Sequence, residues 1–565
     1  MIIDNLKDEF YETISCERIL VLVALDVDAL CACKIVKLLF KQDNIQYTII
    51  PVSGVSDLKS SYDEHREQIK HFLLLNCGGN IDLDILEPDD DTTFYIVDSH
   101  RPLDLNNVFK EQVKILIKEG DSSIDEIPEP EKVIEYEGDD EEEDEDNEDS
   151  DDPDQPSSKR QRTGEDLSYL EKKVKKKKWA AERDRILDEY YECSYYGNSV
   201  ATVLYDLAWK LTKDSNDLLW LSIVGLTEQY LMSKIDRERY FEEYTSLRDH
   251  VLRHNITDEE HAQSIDCVKI SFENELRLDL YRHWSLFQSF MNSQYTSCGF
   301  RLFTMKGKKR LHELFADMGL PIKQCQQKFS SMDADLRGNV KEWIDSLAEK
   351  YGLDDLSYGS FVAQYGYRSK LCAGDVVFAI SALLEYAKDG STYSDHFLDA
   401  MDALTRSNVD KLIEGIELGK QQITSMVNQV RSFIDSHQIV CAGPFLYVHV
   451  QDGSPNAPIF ANPIVITRLA RYSLEAYSIM AKNKKARTLP FVLAVPYNAE
   501  EGTSLLVGVP PVSDTSFKSF FGAAFKQAGE KTKSRVKHDF FDPTVIEIKT
   551  EDRSKFFDNL SALMA

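Results

Sequence analysis

The chain has 565 residues, 42% of them apolar, enough for two or three domains that each bury a core. Lys and Arg number 66 against 97 Asp and Glu, and the net charge of −31 disfavours a general duplex-coating role. The 10 cysteines include no CxxC pair and none with a His at zinc spacing, which argues against a zinc site and for a reducing, intracellular compartment. The opening residues lack the pattern of a signal peptide, and the apolar run from Ile19 is cut by Asp26 and Asp28 before it could cross a bilayer, so a soluble chain with no membrane partner is expected. No GxxxxGK[ST] loop occurs, so ATP hydrolysis is not expected.

The first element, Arg18 to Leu25 (RILVLVAL), is short, β-branched and continuously apolar, which predicts a strand covered on both faces. Helical spacing starts at once after Asp28, with Ala29, Leu30, Cys33, Val36 and Phe40, so Asp26 and Asp28 fall in a strand-to-helix turn. Cys31 and Cys33 read as small buried residues of that helix. The plan repeats with a strand over Gln46 to Val52, a polar helix around Asp57 to Ile69, and strands over His71 to Cys77 and Thr92 to Val97. Such alternation implies right-handed crossovers and a mainly parallel sheet, in which ligands collect beyond the carboxyl ends of the strands. Asp26, Asp28, Asn76, Asp98 and His100 are expected to meet at that edge. A plainer reading stays open, in which Asp28 and Asp98 cap the helices that follow them.

Between Asp121 and Asp152 there are 19 acidic residues against one lysine. Such a stretch buries too little apolar area to offset its ordering entropy, and a disordered insertion over 121–166 is expected. Ser122, Ser123 and Ser150 stand among acids, a context for phosphorylation. Lys159 and Arg160, a spacer, then Lys172, Lys173, Lys175, Lys176, Lys177 and Lys178 have the two-part form of a nuclear import signal; a basic helix start leading to Trp179 is the competing reading.

Helical spacing dominates from Ser199. Helices are expected over Ile270 to Phe290, Gly307 to Gly319, Val340 to Tyr351, Val376 to Tyr386 and Val409 to Ile434. The first of these, with Leu276, Leu280, Trp284, Phe287, Tyr281 and Phe290, reads as central to its module, with a partner surface as the alternative. The last segment returns to α/β, with strands over Phe445 to Val450, Leu489 to Pro496, Ser504 to Val509 and Val545 to Lys549 and helices around Ile464 to Met480 and Phe517 to Ala528. Lys526, Lys531, Lys533, Arg535 and Lys537, with Phe520, Phe521, Phe540 and Phe541, are candidate contacts for single-stranded DNA; a solvated basic face beside core phenylalanines competes with that reading.

The order of the motifs, Asp26-Val27-Asp28, then a strand ending in Asn76 before Cys77-Gly78, then Asp98-Ser99-His100, resembles the DHH phosphoesterases, which include the RecJ exonucleases. The resemblance implies two manganese ions between carboxylates and imidazoles, a pair that activates water and stabilises both oxygens of an in-line displacement at phosphorus. The pattern is degraded. Ala24 stands where a further acidic ligand is expected, Asn76 replaces a bridging aspartate, Ser99 replaces one of the paired histidines, and Glu228 in Trp220-Leu221-Ser222-Ile223-Val224-Gly225-Leu226-Thr227-Glu228 takes the place of an aspartate. The Gly-Gly-His signature of the family's C-terminal domain is absent. Within this superfamily the chain resembles the eukaryotic replication-factor branch over its whole length, on blocks such as DVDALCACKI from Asp26, LNCGGNIDL from Leu75, VDSHRP from Val97, WLSIVGLTEQ from Trp220, LFADMGLPIKQ from Leu314 and TVIEIKTEDRSKFFDNL from Thr544.

That resemblance implies an α/β fold: a DHH-type, mainly parallel sheet domain (1–120 and 167–235), a large helical interdomain insertion (236–436) and a smaller C-terminal α/β DHH-associated domain (437–565). It also implies a nuclear, non-catalytic subunit of the replicative helicase, without a cofactor, that joins the MCM hexamer and the GINS complex, works beside the fork polymerase and loading factors, and is a candidate to touch single-stranded DNA. The alternatives are a manganese-dependent phosphoesterase or single-strand exonuclease with a reduced ligand set, and an acidic assembly factor acting through its charged segment. Asn76, Ser99 and Ala24 favour the scaffold, because losing those ligand positions removes much of the negative charge that would hold two cations close together against their mutual repulsion.

Overall fold

The computed structural model describes residues 1–134, 164–259, 269–353, 355–365, 369–386, 390–454, 456–481, 487–512 and 517–564. Two compact units result, one of Met1–Asp121 with Cys193–Ala565 and one of Ser122–Glu192.

The first unit opens on a six-stranded sheet of β1 (Ile2–Ile3), β2 (Arg18–Ala24), β3 (Gln46–Val52), β4 (His71–Leu75), β5 (Thr93–Val97) and β6 (Val113–Leu116), in the order β1-β6-β5-β4-β2-β3. Every pairing is parallel, with Leu22 opposite both Leu74 and Ile50. From Ile19 onward β2 is buried throughout, as an uninterrupted apolar run demands of a strand covered on both faces. Helix α1 (Val27–Asp43) follows β2, α2 (Val55–His65) follows β3, and α3 (Val200–Lys210) and α4 (Asn216–Leu231) pack against α1. Cys31 and Cys33 are fully buried on α1.

The middle of the chain is not purely helical. The helix expected over Ile270 to Phe290 is replaced by strand β7 (Lys269–Leu276), a 3-10 turn at Tyr281–His283 and a short helix, Leu286–Asn292. Strand β7 pairs antiparallel with β8 (Ser357–Tyr365), which pairs with β9 (Ser369–Cys372). Leu280 breaks any helical path, since it sits at φ 52° in the left-handed region. The expected burial nevertheless holds: Leu276, Leu280, Tyr281 and Phe290 are all core residues. The remaining helices match their sequence patterns, including α5 (Ala373–Glu385) and α6 (Val409–Asp435).

The C-terminal sheet contains β10 (Val440–Cys441), β11 (Leu446–His449), β12 (Phe491–Pro496), β13 (Thr503–Val509), β14 (Val536–Lys537) and β15 (Val545–Lys549), in the order β10-β11-β12-β13-β15-β14. Only β11 and β12 run parallel; the other pairings are antiparallel. Alternation divides each strand between two cores. Leu493, Val495, Leu505 and Val507 face α7 (Pro463–Met480), whereas Val492, Ala494, Leu506 and Ile546 face α8 (Phe521–Thr532) and α9 (Arg553–Met564).

The second unit contains a 3-10 turn at Ser122–Ile124, a short helix at Pro130–Val133 and a long helix, Gly164–Tyr191. Secondary structure therefore occurs at both ends of the 121–166 stretch for which composition predicts disorder. Asp121 itself is buried and paired with Arg101 at 3.1 Å, because a buried guanidinium needs a counter-charge. The acidic remainder from 135, Ser150, Lys159 and Arg160 lie outside the described residues. The long helix includes residues 167–191, which the sequence reading assigns to the α/β domain.

Candidate functional site

Asp26, Asp28, Asn76, Asp98, Ser99, His100 and Glu228 do converge at the carboxyl edge of the first sheet, each of them buried. Ala24, the last residue of β2, is buried there as well.

Asp26 is the N-cap of α1, and its Oδ1 accepts from the Ala29 N–H at 2.8 Å. Asp28 points across to another helix. The Ser199 hydroxyl donates to its Oδ1 at 2.6 Å, the Ala201 N–H to the same oxygen at 3.0 Å and the Val200 N–H to Oδ2 at 2.8 Å. The carboxylate thus satisfies the open N–H groups of α3, where the helix dipole favours negative charge. Helix α4 approaches closely only because residue 225 is glycine, since a Cβ there would lie 2.6 Å from Asp28 Oδ1. Burial pushes the Asp28 carboxyl above its ordinary range, with Asp26 adding to the effect and the three donors opposing it.

Asn76 takes a left-handed backbone at φ 54°, a conformation asparagine tolerates. Its Nδ2 donates to both oxygens of Asp26 at 3.3 Å, while its Oδ1 accepts from the Ser99 N–H at 2.8 Å and the Ser99 hydroxyl at 2.9 Å. The substitutions at 76 and 99 are therefore coupled: the amide and the hydroxyl satisfy each other and a carboxylate without a cation.

Asp98 is satisfied on both sides. Gly78 and Gly79 donate backbone N–H groups to Oδ2 at 3.0 and 2.7 Å, and the His100 backbone N–H and ring Nδ1 meet Oδ1 at 2.8 and 2.6 Å. Burial alone would raise its pKa, yet His100 and the backbone donors hold it at about 2. The His100 imidazole is correspondingly held above its ordinary value, because Asp98 outweighs the burial that would lower it. Arg101 supports this turn from behind, donating to the carbonyls of Asp98 and His100 at 2.7 and 2.9 Å.

Glu228 on α4 meets Lys234, whose Nζ lies 2.9 Å from Oε1. Burial pushes the Glu228 carboxyl up to about 7, with Lys234 pulling against it and Asp26 adding to it. Burial would lower the lysine, but Glu228 and Asp26 outweigh it and hold the ammonium above its usual value. The ammonium also stands 5.2 Å from the centroid of the Tyr196 ring, and Tyr196 pairs with His100 in a short antiparallel bridge. Lys234 carries no motif of its own in the sequence. Its only sequence signal is a cation just beyond the helix that ends the fourth motif.

The C-terminal sheet closes against this edge. The Val55 N–H donates to the Asp539 carbonyl at 2.8 Å and the Ser56 N–H to Asp539 Oδ1 at 2.7 Å, so Asp539 caps α2 from a distant part of the chain. Asn80 donates to the Phe541 carbonyl at 2.8 Å, Ser194 and Ser519 exchange backbone hydrogen bonds at 2.7 Å, and Arg471 on α7 donates to the Met232 carbonyl at 2.6 Å.

The family model for CDC45 matches residues 19–178 and 121–563. The chain belongs to the CDC45 family. It is similar to the cell division control protein 45 homologs of Mus musculus and Homo sapiens, each 44% identical over 571 residues that cover 100% of both chains. The crystal structure of CDC45 from Entamoeba histolytica has the same fold, with a TM-score of 0.70 at 22% identity and 100% of both chains covered.

In this CDC45 family member the candidate DNA-contact residues lie apart from the carboxylates in sequence, on α8, β14 and the turn between them. Lys526, Lys531 and Lys533 are exposed. Arg535 is paired with Glu551 and Asp552 at 2.9 and 2.8 Å, and Lys537 lies 3.6 Å from Glu547. Phe521 and Phe541 are buried, and Phe520 and Phe540 pack against the cores, so these rings serve the fold. Of the candidate import residues, Lys175, Lys176, Lys177 and Lys178 are exposed on the long helix of the second unit, and the side chains of Lys172 and Lys173 lie outside the described residues. Ser122 is exposed, whereas Ser123 is 8% exposed and a poor target for a kinase. Among the described residues no helix is long and apolar enough to cross a membrane.

Proposed function

We propose that this chain is a non-catalytic, nuclear scaffold subunit of the replicative DNA helicase, joining the MCM hexamer to GINS beside the fork polymerase and loading factors. Membership of the CDC45 family supports a role in DNA replication. The observation that carries the non-catalytic part is the state of Asp28. Both of its oxygens are used by Ser199, Val200 and Ala201 at the start of α3, so the side chain offered as a metal ligand serves as a buried structural cap.

The same logic extends around the edge. Asp26 accepts from Ala29 and Asn76, and Asp98 from Gly78, Gly79 and His100, so these carboxylates serve as hydrogen-bond architecture. In this reading single-stranded DNA contact falls to Lys526, Lys531 and Lys533, which are exposed.

The test is co-assembly. Wild type and Asp26→Asn, mixed with MCM hexamer and GINS and resolved by size-exclusion chromatography, are expected to enter the same complex to the same extent. Failure of folded wild type to join, or selective failure of Asp26→Asn, overturns the proposal.

A further inference from the structure

The two manganese ions that the DHH resemblance implies do not fit the donors in this chain. A bridging divalent pair, its ions about 3.5 to 4 Å apart, needs carboxylate oxygens with lone pairs turned toward open space. Here Asp98 meets two protein donors on each oxygen, Asp28 takes three donors over its two oxygens, Asp26 takes Ala29 and Asn76, and position 76 presents an amide whose hydrogens face Asp26 where a bridge needs a carboxylate. Among these groups Glu228 Oε2 is a buried oxygen without a hydrogen-bond partner, and it belongs to the carboxylate beside Lys234.

We propose that Lys234 is the resident cation of this site, its ammonium standing in for the divalent ions and keeping metal out. This inference rests on the non-catalytic reading. Three features build the position. The chain turns sharply after α4, with Ser233 at φ 55° and the Lys234 N–H returning to the Gln229 carbonyl at 2.8 Å, which carries the lysine back toward Glu228. Arg471 braces that turn by donating to the carbonyls of Met232 and Ser233. Tyr196 gives the ammonium an aromatic face, and Glu228 gives it a carboxylate.

A lysine in this place answers the Glu228 carboxylate and forgoes the chemistry. One ammonium offsets buried negative charge and donates hydrogen bonds, but it has no open coordination position at which to acidify a water or polarise a phosphoryl oxygen. It also repels an incoming divalent cation, so a single covalently attached charge fixes the site in one state at all metal concentrations.

The test compares manganese binding, by calorimetry and by electron paramagnetic resonance of the ion, in wild type, Lys234→Ala, Lys234→Arg and Lys234→Ala combined with Asp26→Asn. Lys234→Ala is expected to bind manganese at least about tenfold tighter than wild type and to gain thermal stability on adding it. Lys234→Arg should behave as wild type, and the added Asp26→Asn should abolish the gain. If Lys234→Ala does not fold without the ion, refolding on addition of manganese supports the inference. If manganese fails to restore it, Lys234→Met, which keeps most of the stem and removes the charge, decides: a folded protein that binds manganese tighter than wild type supports the resident-cation role, and binding no tighter than wild type, or failure to fold with and without manganese, overturns it. Equal manganese binding by folded wild type and Lys234→Ala also overturns it. Phosphodiester hydrolysis by wild type would instead remove the non-catalytic reading beneath it, so the two failures are told apart.

Discussion

Asn76 donates its side-chain amide to both oxygens of Asp26 and receives the hydroxyl and N–H of Ser99, joining the ends of β2, β4 and β5 in one buried chain of hydrogen bonds. A carboxylate at position 76 would face Asp26 with no donor between them. Asn76→Asp is therefore expected to lose about 2 to 4 kcal/mol at neutral pH. The new carboxyl would have a folded pKa above its unfolded value, so its cost is absent at low pH and grows as pH rises through the carboxylate range. Urea unfolding of variant and wild type at several pH values measures this; a deficit that stays constant from acid to neutral contradicts it.

The Asp98–His100 pair gives the wild type a defined pH window. Asp98 is held at about 2 against an unfolded value near 3.9, so its contribution of about 2 to 3 kcal/mol is present above pH ~4 and is lost as pH falls toward 2. His100 is raised, so its share is complete below its unfolded value near 6.5 and is lost as pH rises through the folded value. Asp98→Asn should remove both dependences, with the stability gap to wild type widest between about pH 4 and 6.5. A pH-independent gap in denaturant titrations would rule this out.

Asp28→Ala leaves Ser199 and the first N–H groups of α3 without an acceptor in the core. The expected loss is about 2 to 4 kcal/mol, at the upper end of capping effects because the site is buried. Asp28→Asn should lose less, since its remaining oxygen still accepts. Thermal or urea unfolding that ranks the two variants the other way contradicts the capping role.

Asp539 holds the C-terminal sheet to α2, and the contact depends on Gly54. A Cβ at position 54 would lie 2.4 Å from the Asp539 carbonyl oxygen, so Gly54→Ala must displace main chain. Hydrogen exchange in Gly54→Ala and Asp539→Ala should accelerate at the Val55 and Ser56 amides, with the larger effect in Gly54→Ala. Unchanged protection at both amides would show that the seam is held elsewhere, with Arg471 and Met232 the next contact to test.

The strands around the carboxylates are legible because, after their first residues, β2, β4 and β5 are runs of apolar and aromatic residues, with Asp26, Asn76 and Asp98 at or just past their ends. Residues 269–276 are not. In β7 the charged Glu275 is buried against Arg282 while Phe272 is partly exposed, which erases the apolar alternation, and Leu276, Leu280, Trp284 and Phe287 happen to match helical spacing. At the site the motif residues were readable, but what satisfies them was not. Asp28 meets Ser199, Glu228 meets Lys234 and α2 meets Asp539 only through tertiary folding, and no local spacing in the sequence encodes those meetings.

The most direct test of the central claim is hydrolysis of single-stranded DNA and of a simple phosphodiester in excess manganese, with wild type beside Asp26→Asn. The carboxylates are spent on protein donors, so no turnover is expected from either, with both folded by circular dichroism. Manganese-dependent turnover by wild type that disappears in Asp26→Asn would mean a working metal site and would contradict the scaffold account.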